Sequence, residues 1–147
     1  MHTSAAVTSL EATYAASAAG LAQALSEFDQ LQDVNAWGER LAHTLRLVLE
    51  ELLINNVTHG RQPGDTGWVS VRLTQSNDRI SLMIEDDGLP FDPTEKPPPD
   101  LNAPLDDRRE GGLGLFLVRS LSSELSYVRE RGINRTTAVF LLAARND

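Results

Sequence analysis

The sequence contains no cysteine, which excludes disulfides, thiolate zinc sites and cysteine nucleophiles together. Its single lysine, Lys96, stands before three prolines rather than in a G-x-x-x-x-G-K-[ST] phosphate-binding loop. The H-R-D catalytic loop and the strand lysine that ordinary protein kinases use are also missing. Any chemistry on phosphate groups must therefore use another scaffold.

Long apolar runs and an excess of positive charge are missing as well. No segment approaches the roughly 18 consecutive apolar residues that a membrane-spanning helix needs, so we expect no membrane partner. The 21 acidic and 13 basic side chains give a formal net charge of -8, which opposes direct binding to nucleic acid. The N-terminal segment lacks the basic start and apolar stretch of a signal peptide, so we expect a cytoplasmic protein.

What the sequence does contain predicts one domain over residues 1–147. Apolar residues recur every three or four positions in the helical segments and every second position in the strands. The predicted elements are a helix at 18–28, a long helix at 37–59, a β-hairpin at 69–84, a helix that begins just after Gly114, and strands at 126–131 and 136–142. This order favours an α+β two-layer sandwich over alternating βαβ units.

Three polar side chains interrupt the apolar second half of the long helix. Glu51, Asn55 and His59 are four residues apart and therefore project from one face. In a buried helix they could simply satisfy neighbouring backbone groups. Alternatively, the amide oxygen of Asn55 is a hard ligand suited to Mg²⁺, and Glu51 can accept a proton from a hydroxyl that attacks phosphorus. The pattern permits both interpretations.

A predicted strand runs directly into an acidic turn at Asp86, Asp87 and Gly88. A carboxylate at a strand end can accept a hydrogen bond from the exocyclic amine of adenine, and an adjacent glycine lets the ring approach the backbone. The D-x-G pattern is also common in ordinary turns. Alone, it does not distinguish a nucleotide site from a tight turn.

Glycines precede the third predicted helix, in the run from Glu110 to Phe116. Free amide groups at a helix start form an anion site suited to phosphates, although the same pattern also serves as a hinge. One nucleotide site explains all three patterns. It combines a metal ligand on a helix, an adenine acceptor at a strand end, and a phosphate cradle that follows the polar, proline-rich segment at 92–111.

In order and spacing, these patterns resemble the N, G1 and G2 boxes of the superfamily that unites histidine kinases and gyrase-type ATPases. The matching segments are Glu51-x-x-x-Asn55-x-x-x-His59-Gly60, Asp86-x-Gly88 and Gly112-Leu113-Gly114-Leu115-Phe116. Within the superfamily the sequence is most similar to the small bacterial serine/threonine switch kinases that act as anti-sigma factors. The resemblance implies the Bergerat fold, an α+β sandwich with a mixed, mostly antiparallel sheet that binds ATP and Mg²⁺.

The resemblance also implies a role for each matching residue. Glu51 would be the general base, Asn55 the magnesium ligand and Asp86 the adenine acceptor. A lid at about 93–111 would close over the nucleotide, and Arg109 or its neighbour Arg108 would reach the γ-phosphate. The other implied nucleotide-binding residues are His59, Gly60, Gly88, Gly111, Gly112, Leu113, Gly114, Leu115, Phe116 and Thr137.

The implied function is that of an ATP-dependent serine/threonine kinase and anti-sigma factor. It would phosphorylate a STAS-domain anti-anti-sigma factor and, as a homodimer, sequester a sigma factor. One alternative is an ATP-gated binding module with little phosphoryl transfer, but a module that only senses nucleotide has no need of Glu51. A second alternative is the detached ATPase domain of a histidine kinase or topoisomerase. His43 could not be its phosphoacceptor, because it lies two turns before Glu51 on the same helix.

Overall fold

The computed structural model describes residues 6–31, 36–59, 66–95 and 112–142. These residues form a sheet whose one face is covered by helices. The elements are β1 (Val7–Ala15), α1 (Ala18–Asp29), α2 (Glu39–His59), β2 (Trp68–Gln75), β3 (Arg79–Asp86), α3 (Gly112–Leu121), β4 (Glu124–Glu130) and β5 (Ile133–Leu141). The predicted α+β two-layer sandwich is confirmed.

The sheet has five strands in the order β1-β2-β3-β5-β4. All four pairings among the described strands are antiparallel, whereas the family resemblance implied a mixed sheet. Strand β1 is absent from the sequence prediction, in which helices come first. Its inward row of Leu10, Ala12 and Tyr14 contains only one large aliphatic side chain, so the period-two pattern is weak. Strand β1 is held in place by its pairing with β2 at the edge of the sheet, which the local sequence pattern does not indicate.

Two hairpins build the rest of the sheet. Strands β2 and β3 are joined through Ser76, Asn77 and Asp78, which confirms the hairpin predicted there. Strands β4 and β5 meet at Arg131 and Gly132, whose φ angles of 55° and 79° both lie in the left-handed region. Two consecutive residues with positive φ are typical of the tight turns that match the twist of paired strands.

Helix α2 is the centre of the helical layer, as its sequence predicts. Most of its apolar side chains are buried, because one side packs on the sheet and the others meet α1 and α3. The members of α2 in the hydrophobic core are Leu45, Val48, Leu49, Leu52 and Leu53. They pack with Phe28 of α1 and Leu73 and Leu82 of the sheet. The core therefore lies between the helices and the middle of the sheet.

The helix boundaries differ slightly from the prediction. Helix α3 begins at Gly112 rather than just after Gly114. Helix α1 starts after Ser17, whose hydroxyl accepts a 3.1 Å hydrogen bond from the backbone nitrogen of Gly20 and so caps the helix. No helix in the part of the chain that the structure describes is long and apolar enough to cross a membrane.

Candidate functional site

The sheet brings polar residues together where its apolar rows end. On β3 the buried row of Ile80, Leu82 and Ile84 continues into Asp86, since alternate residues of a strand face the same side. Asp86 is paired directly with Asn134, the second residue of β5. Two polar side chains thus lie side by side on the helical face of the sheet.

A pocket opens between this end of the sheet, the second half of α2 and the start of α3. Its lining combines apolar side chains with polar side chains from α2, β3 and β5. The lining residues are Leu52, Asn55, Asn56, Ile84, Asp86, Leu89, Phe91, Pro93, Leu115, Asn134 and Thr136. All the buried polar residues among those described belong to this set, namely Asn55, Asn56, Asp86, Asn134 and Thr136. Buried polarity is concentrated at one place in the fold.

The carboxylate of Asp86 is held by two hydrogen bonds. The backbone nitrogen of Gly88 donates to Oδ1 at 2.8 Å, and Nδ2 of Asn134 donates to the same oxygen at 2.9 Å. Both donors bind Oδ1, so Oδ2 remains as an acceptor for a ligand in the pocket. A carboxylate fixed in this way is suited to an amine donor such as the exocyclic amine of adenine.

Asn134 is a site residue that the sequence analysis missed. Its Nδ2 also donates to the carbonyl oxygen of Leu89 at 2.8 Å, and its Oδ1 accepts hydrogen bonds from the Tyr127 hydroxyl and, at 2.8 Å, from Nη1 of Arg129. The same Arg129 nitrogen donates to the carbonyl oxygen of Gly88 at 3.1 Å. Asn134 therefore ties β4, β5 and the turn after β3 together around Asp86.

Glu51 lies beside the pocket rather than in its described lining. Its carboxylate packs against the first turn of α3, where a Cβ at Gly114 would come within 2.1 Å of Glu51 Oε2. Only glycine fits at position 114 while Glu51 keeps this position. Burial, and then the charge of Glu50, raise the pKa of the Glu51 carboxyl above its ordinary value. A raised pKa is typical of a carboxylate that accepts a proton in catalysis.

Asn55 and Asn56 present buried amides at the pocket. They are 5% and 6% exposed, and within the described parts of the chain Nδ2 of Asn55 and both polar atoms of Asn56 have no hydrogen-bond partner. Buried amides without partners are costly. Asn56 was not a predicted site residue, although it lies four residues after Leu52 and so shares the pocket-facing side of α2.

The described residues fit a magnesium ion that arrives with a nucleotide. Among them, no group of three histidine or acidic side chains could hold a metal alone. Mg²⁺ commonly uses one or two protein ligands and completes its shell with water and phosphate oxygens. Asn55 is a suitable ligand of that kind, because its amide is buried at the pocket and its oxygen is a hard ligand.

Several predicted residues fall elsewhere or outside the described ranges. Leu115 lines the pocket, but Phe116 does not. Thr137 lies on the opposite face of β5 from the pocket, and its neighbour Thr136 lines it instead, because the buried row of β5 contains the even-numbered residues. Outside the described residues lie Gly60, Arg108, Arg109, Gly111 and most of the predicted lid, together with the side chains of His59 and Leu113.

Gly112 and Gly114 occupy the first turn of α3. The first amide groups of a helix have no partner within it, so a phosphate could bind here as the sequence predicts. Gly88 contributes its backbone nitrogen to Asp86. The structure thus brings Asn55, Asp86 and Leu115 to one pocket. Gly88 is bound to Asp86, and Glu51 and the start of α3 lie at the side of the pocket.

Comparison with known proteins identifies the family to which this fold belongs. The family described as the histidine kinase-like ATPase domain matches residues 14–140. The serine/threonine-protein kinase BtrW of Bordetella bronchiseptica is 41% identical over 101 residues, which cover 69% of this chain and 71% of BtrW. The serine-protein kinase RsbW of Bacillus licheniformis is 32% identical over 107 residues, 70% of this chain and 67% of RsbW. RsbW of Staphylococcus aureus is 34% identical over 93 residues, which cover 60% of this chain and 58% of RsbW.

Proposed function

Since the chain belongs to the histidine kinase-like ATPase family, we propose that it is an ATP-dependent serine/threonine-protein kinase that acts as an anti-sigma factor. The observation that carries the proposal is the gathering of every described buried polar residue at one pocket, with Glu51 beside it. The kinase names of BtrW and RsbW support the activity. The resemblance to the switch kinases supports the regulatory role.

Each part of the nucleotide has a proposed place. Asp86 accepts a hydrogen bond from the adenine amine through Oδ2, and Thr136 lies near the base. The amides of Gly112 and Gly114 face the phosphates, with Arg109 and His59 as further contacts. Asn55 would hold Mg²⁺ together with the nucleotide, and the ion would supply positive charge to offset the charge that develops on the phosphates.

The proposed reaction transfers the γ-phosphoryl group to a serine or threonine of a STAS-domain anti-anti-sigma factor. The Glu51 carboxylate takes the hydroxyl proton while the new oxygen–phosphorus bond forms. The bond between the γ-phosphorus and the β,γ-bridging oxygen breaks, and ADP leaves. The raised pKa of Glu51 suits it to hold that proton during the transfer.

The proposed partners are the anti-anti-sigma factor and a sigma factor, with the kinase as a homodimer in the cytoplasm. The sigma factor is released when the unphosphorylated antagonist binds instead. The acidic balance of the chain, -8 at neutral pH, would complement the basic surfaces of a sigma factor that face DNA. A second possibility is an ATP-gated binding module with little transfer, which the labelling test below distinguishes from a kinase.

The test is transfer of label from γ-labelled ATP to small STAS-domain proteins of the same organism. The wild type should label a partner, while Glu51→Gln should bind ATP with similar affinity and lose transfer by a factor of about 10² to 10⁴, the contribution typical of a general base. Transfer that survives in Glu51→Gln contradicts the role of Glu51. Bound ATP and a captured partner without any transfer by the wild type would favour the binding module.

Asn55→Ala is the matched control on the same helix. We expect it to abolish Mg²⁺-dependent ATP binding, because the ligand oxygen on α2 is removed. Calorimetric titration with and without Mg²⁺ measures this loss directly. Equal loss of ATP binding in Asn55→Ala and Glu51→Gln would contradict the proposed division between metal ligand and base.

A further inference from the structure

Asn56 is a buried asparagine of α2 in which both polar side-chain atoms lack a described hydrogen-bond partner. It is 6% exposed, and among the described residues neither Nδ2 nor Oδ1 has a hydrogen-bond partner. Asp86 and Asn134, by contrast, bind each other and the backbone around them. An amide that the described part of the chain leaves unsatisfied on both atoms is suited to a ligand that satisfies both.

The position of Asn56 indicates which part of a ligand it meets. Asn56 lines the same pocket as Asp86, Asn134 and Thr136, at the end of the sheet where the base is proposed to lie. The proposed phosphate end of the site is formed by Glu51, by Asn55 one turn later on α2 and by the first turn of α3. Asn56 is instead one turn after Leu52, on the neighbouring side of the helix, so it is better placed for the base than for the phosphates.

The chemistry of an amide limits the choice of base. A side-chain amide offers one acceptor and a donor beside it, and adenine offers a donor amine beside a ring-nitrogen acceptor. Guanine carries an oxygen in place of that amine, so neither the carboxylate of Asp86 nor the Asn56 oxygen would find a donor there. Asp86 and Asn56 line the same pocket, so together they would suit adenine, with each accepting one hydrogen of the amine.

We propose that Asn56 is a specificity-determining residue that binds the adenine edge through both atoms of its amide, its oxygen to the amine and its nitrogen to the adjacent ring nitrogen. This inference rests on the proposed function, because it assumes that the pocket holds ATP. Asn56 would then be a second residue, besides Asp86, that recognises the base. Discrimination against guanine would depend on α2 as well as on β3.

The inference predicts opposite effects on stability and affinity. Leucine has the branched shape of asparagine, although it is larger, and it removes the unsatisfied polar atoms, a change that is neutral or stabilising when no partner is lost. In Asn56→Leu, the ATP-free protein should therefore melt at the same or a higher temperature, while ATP binds about tenfold more weakly because hydrogen bonds to the base are lost.

The experiment is calorimetric titration of ATP, 1-deaza-ATP and 7-deaza-ATP with Mg²⁺, together with thermal unfolding of the ATP-free protein. Wild type should bind one deaza analogue about tenfold more weakly than ATP, since one ring nitrogen is missing. Asn56→Leu should bind that analogue and ATP equally. Thr58→Val is the control, because Thr58 is an exposed residue of α2 whose hydroxyl donates to the helix backbone at Ile54, and it should match wild type in every titration.

The possible failures are distinct. If the wild type binds no ATP, the proposed function is wrong and the inference falls with it. If the wild type binds ATP and Asn56→Leu binds it equally well, or if the wild type binds both analogues as tightly as ATP, only the inference is overturned. A lower melting temperature in both Asn56→Leu and Asn56→Ala would also overturn it, since Asn56 would then have a structural role.

Discussion

The same elements build two very different regions of this molecule. In its middle, α2 contributes Leu45 and Leu49 to a core made only of hydrophobic residues, which the apolar rows of β2 and β3 complete. One or two turns later, α2 contributes Asn55 and Asn56 to the pocket. Strand β3 changes in the same way, since its apolar row ends in Asp86.

The contrast separates what stabilises the fold from what binds a ligand. Apolar burial in the core is favourable without any ligand. The pocket contains amides without described partners, and beside it lies the Glu51 carboxyl, whose pKa is raised by burial. Both features cost stability in the ligand-free protein. Substitutions in the core should therefore change unfolding and leave affinity alone, whereas substitutions at the pocket should do the reverse.

The largest effect is expected from the core. Leu49 is fully buried in the hydrophobic cluster, so Leu49→Ala should lower the free energy of unfolding by about 2–5 kcal/mol, through lost burial and the cavity left behind. Denaturant unfolding measures this change. ATP affinity of the folded protein should stay within about twofold of wild type, because Leu49 does not line the pocket.

The matched control is Leu141→Ala on β5, where the side chain is 57% exposed. It should change the free energy of unfolding by no more than about 0.5 kcal/mol. A tenfold loss of ATP affinity in folded Leu49→Ala would break the separation between the two regions, because it would mean that the core sets the geometry of the pocket.

A smaller effect, on affinity, is expected from Asp86→Asn. Asparagine has a single acceptor oxygen, which can serve either Gly88 and Asn134 or the amine of adenine. Its amide nitrogen is a donor, so the site should lose part of its preference for a base with an amine over a base with an oxygen at that position. The ratio of ATP to GTP affinity should fall about tenfold, the value of one hydrogen bond to a charged acceptor. Competition binding with the two nucleotides measures this ratio, and an unchanged ratio would contradict the assignment of Asp86.

The core was predictable from the sequence because its signals are local. Apolar residues recur every three or four positions in α2 and every second position in the hairpin, within short stretches of sequence. These periods identify the buried row of Leu45 and Leu49 in α2 and that of Ile80 and Leu82 in β3. Glu51, Asn55 and Asp86 were also identified, since their spacing matches a family pattern. Strand β1 was missed because its stability depends on pairing with β2, which is 53 or more residues away from it along the chain for every partner pair.

The rest of the pocket depends on tertiary contacts that no local pattern contains. Asn134 meets Asp86 through the register of β3 and β5, two strands separated by 48 positions at that pair. Thr136 rather than Thr137 faces the pocket because of that same register. Extending the period-two row of Ala138 and Phe140 back along β5 would have reached both Thr136 and Asn134.

The smallest effect is a change in pH dependence at the border between the two regions. Burial and the charge of Glu50 raise the pKa of Glu51, and the proposed base is active only as a carboxylate. The value of kcat/KM should therefore rise with pH through a pKa above that of an ordinary glutamate. Glu50→Gln removes the smaller of the two causes, so the acid limb of the profile should move to lower pH by less than about one unit.

Stability should depend on pH in the opposite direction. The folded protein holds the proton of Glu51 more tightly than the unfolded chain does, so protonation of Glu51 favours the folded state. This contribution to folding stability is fully present below the pKa of Glu51 in the unfolded chain and is lost as the pH rises through its pKa in the folded protein. Glu51→Gln cannot ionise and should melt above wild type at neutral pH, with the difference shrinking in acid. Thermal unfolding across this range measures the difference. A Glu51→Gln protein that melts below wild type at neutral pH would mean that the ionised carboxylate stabilises the fold. Glu51 would then contribute to folding stability, as the core residues do.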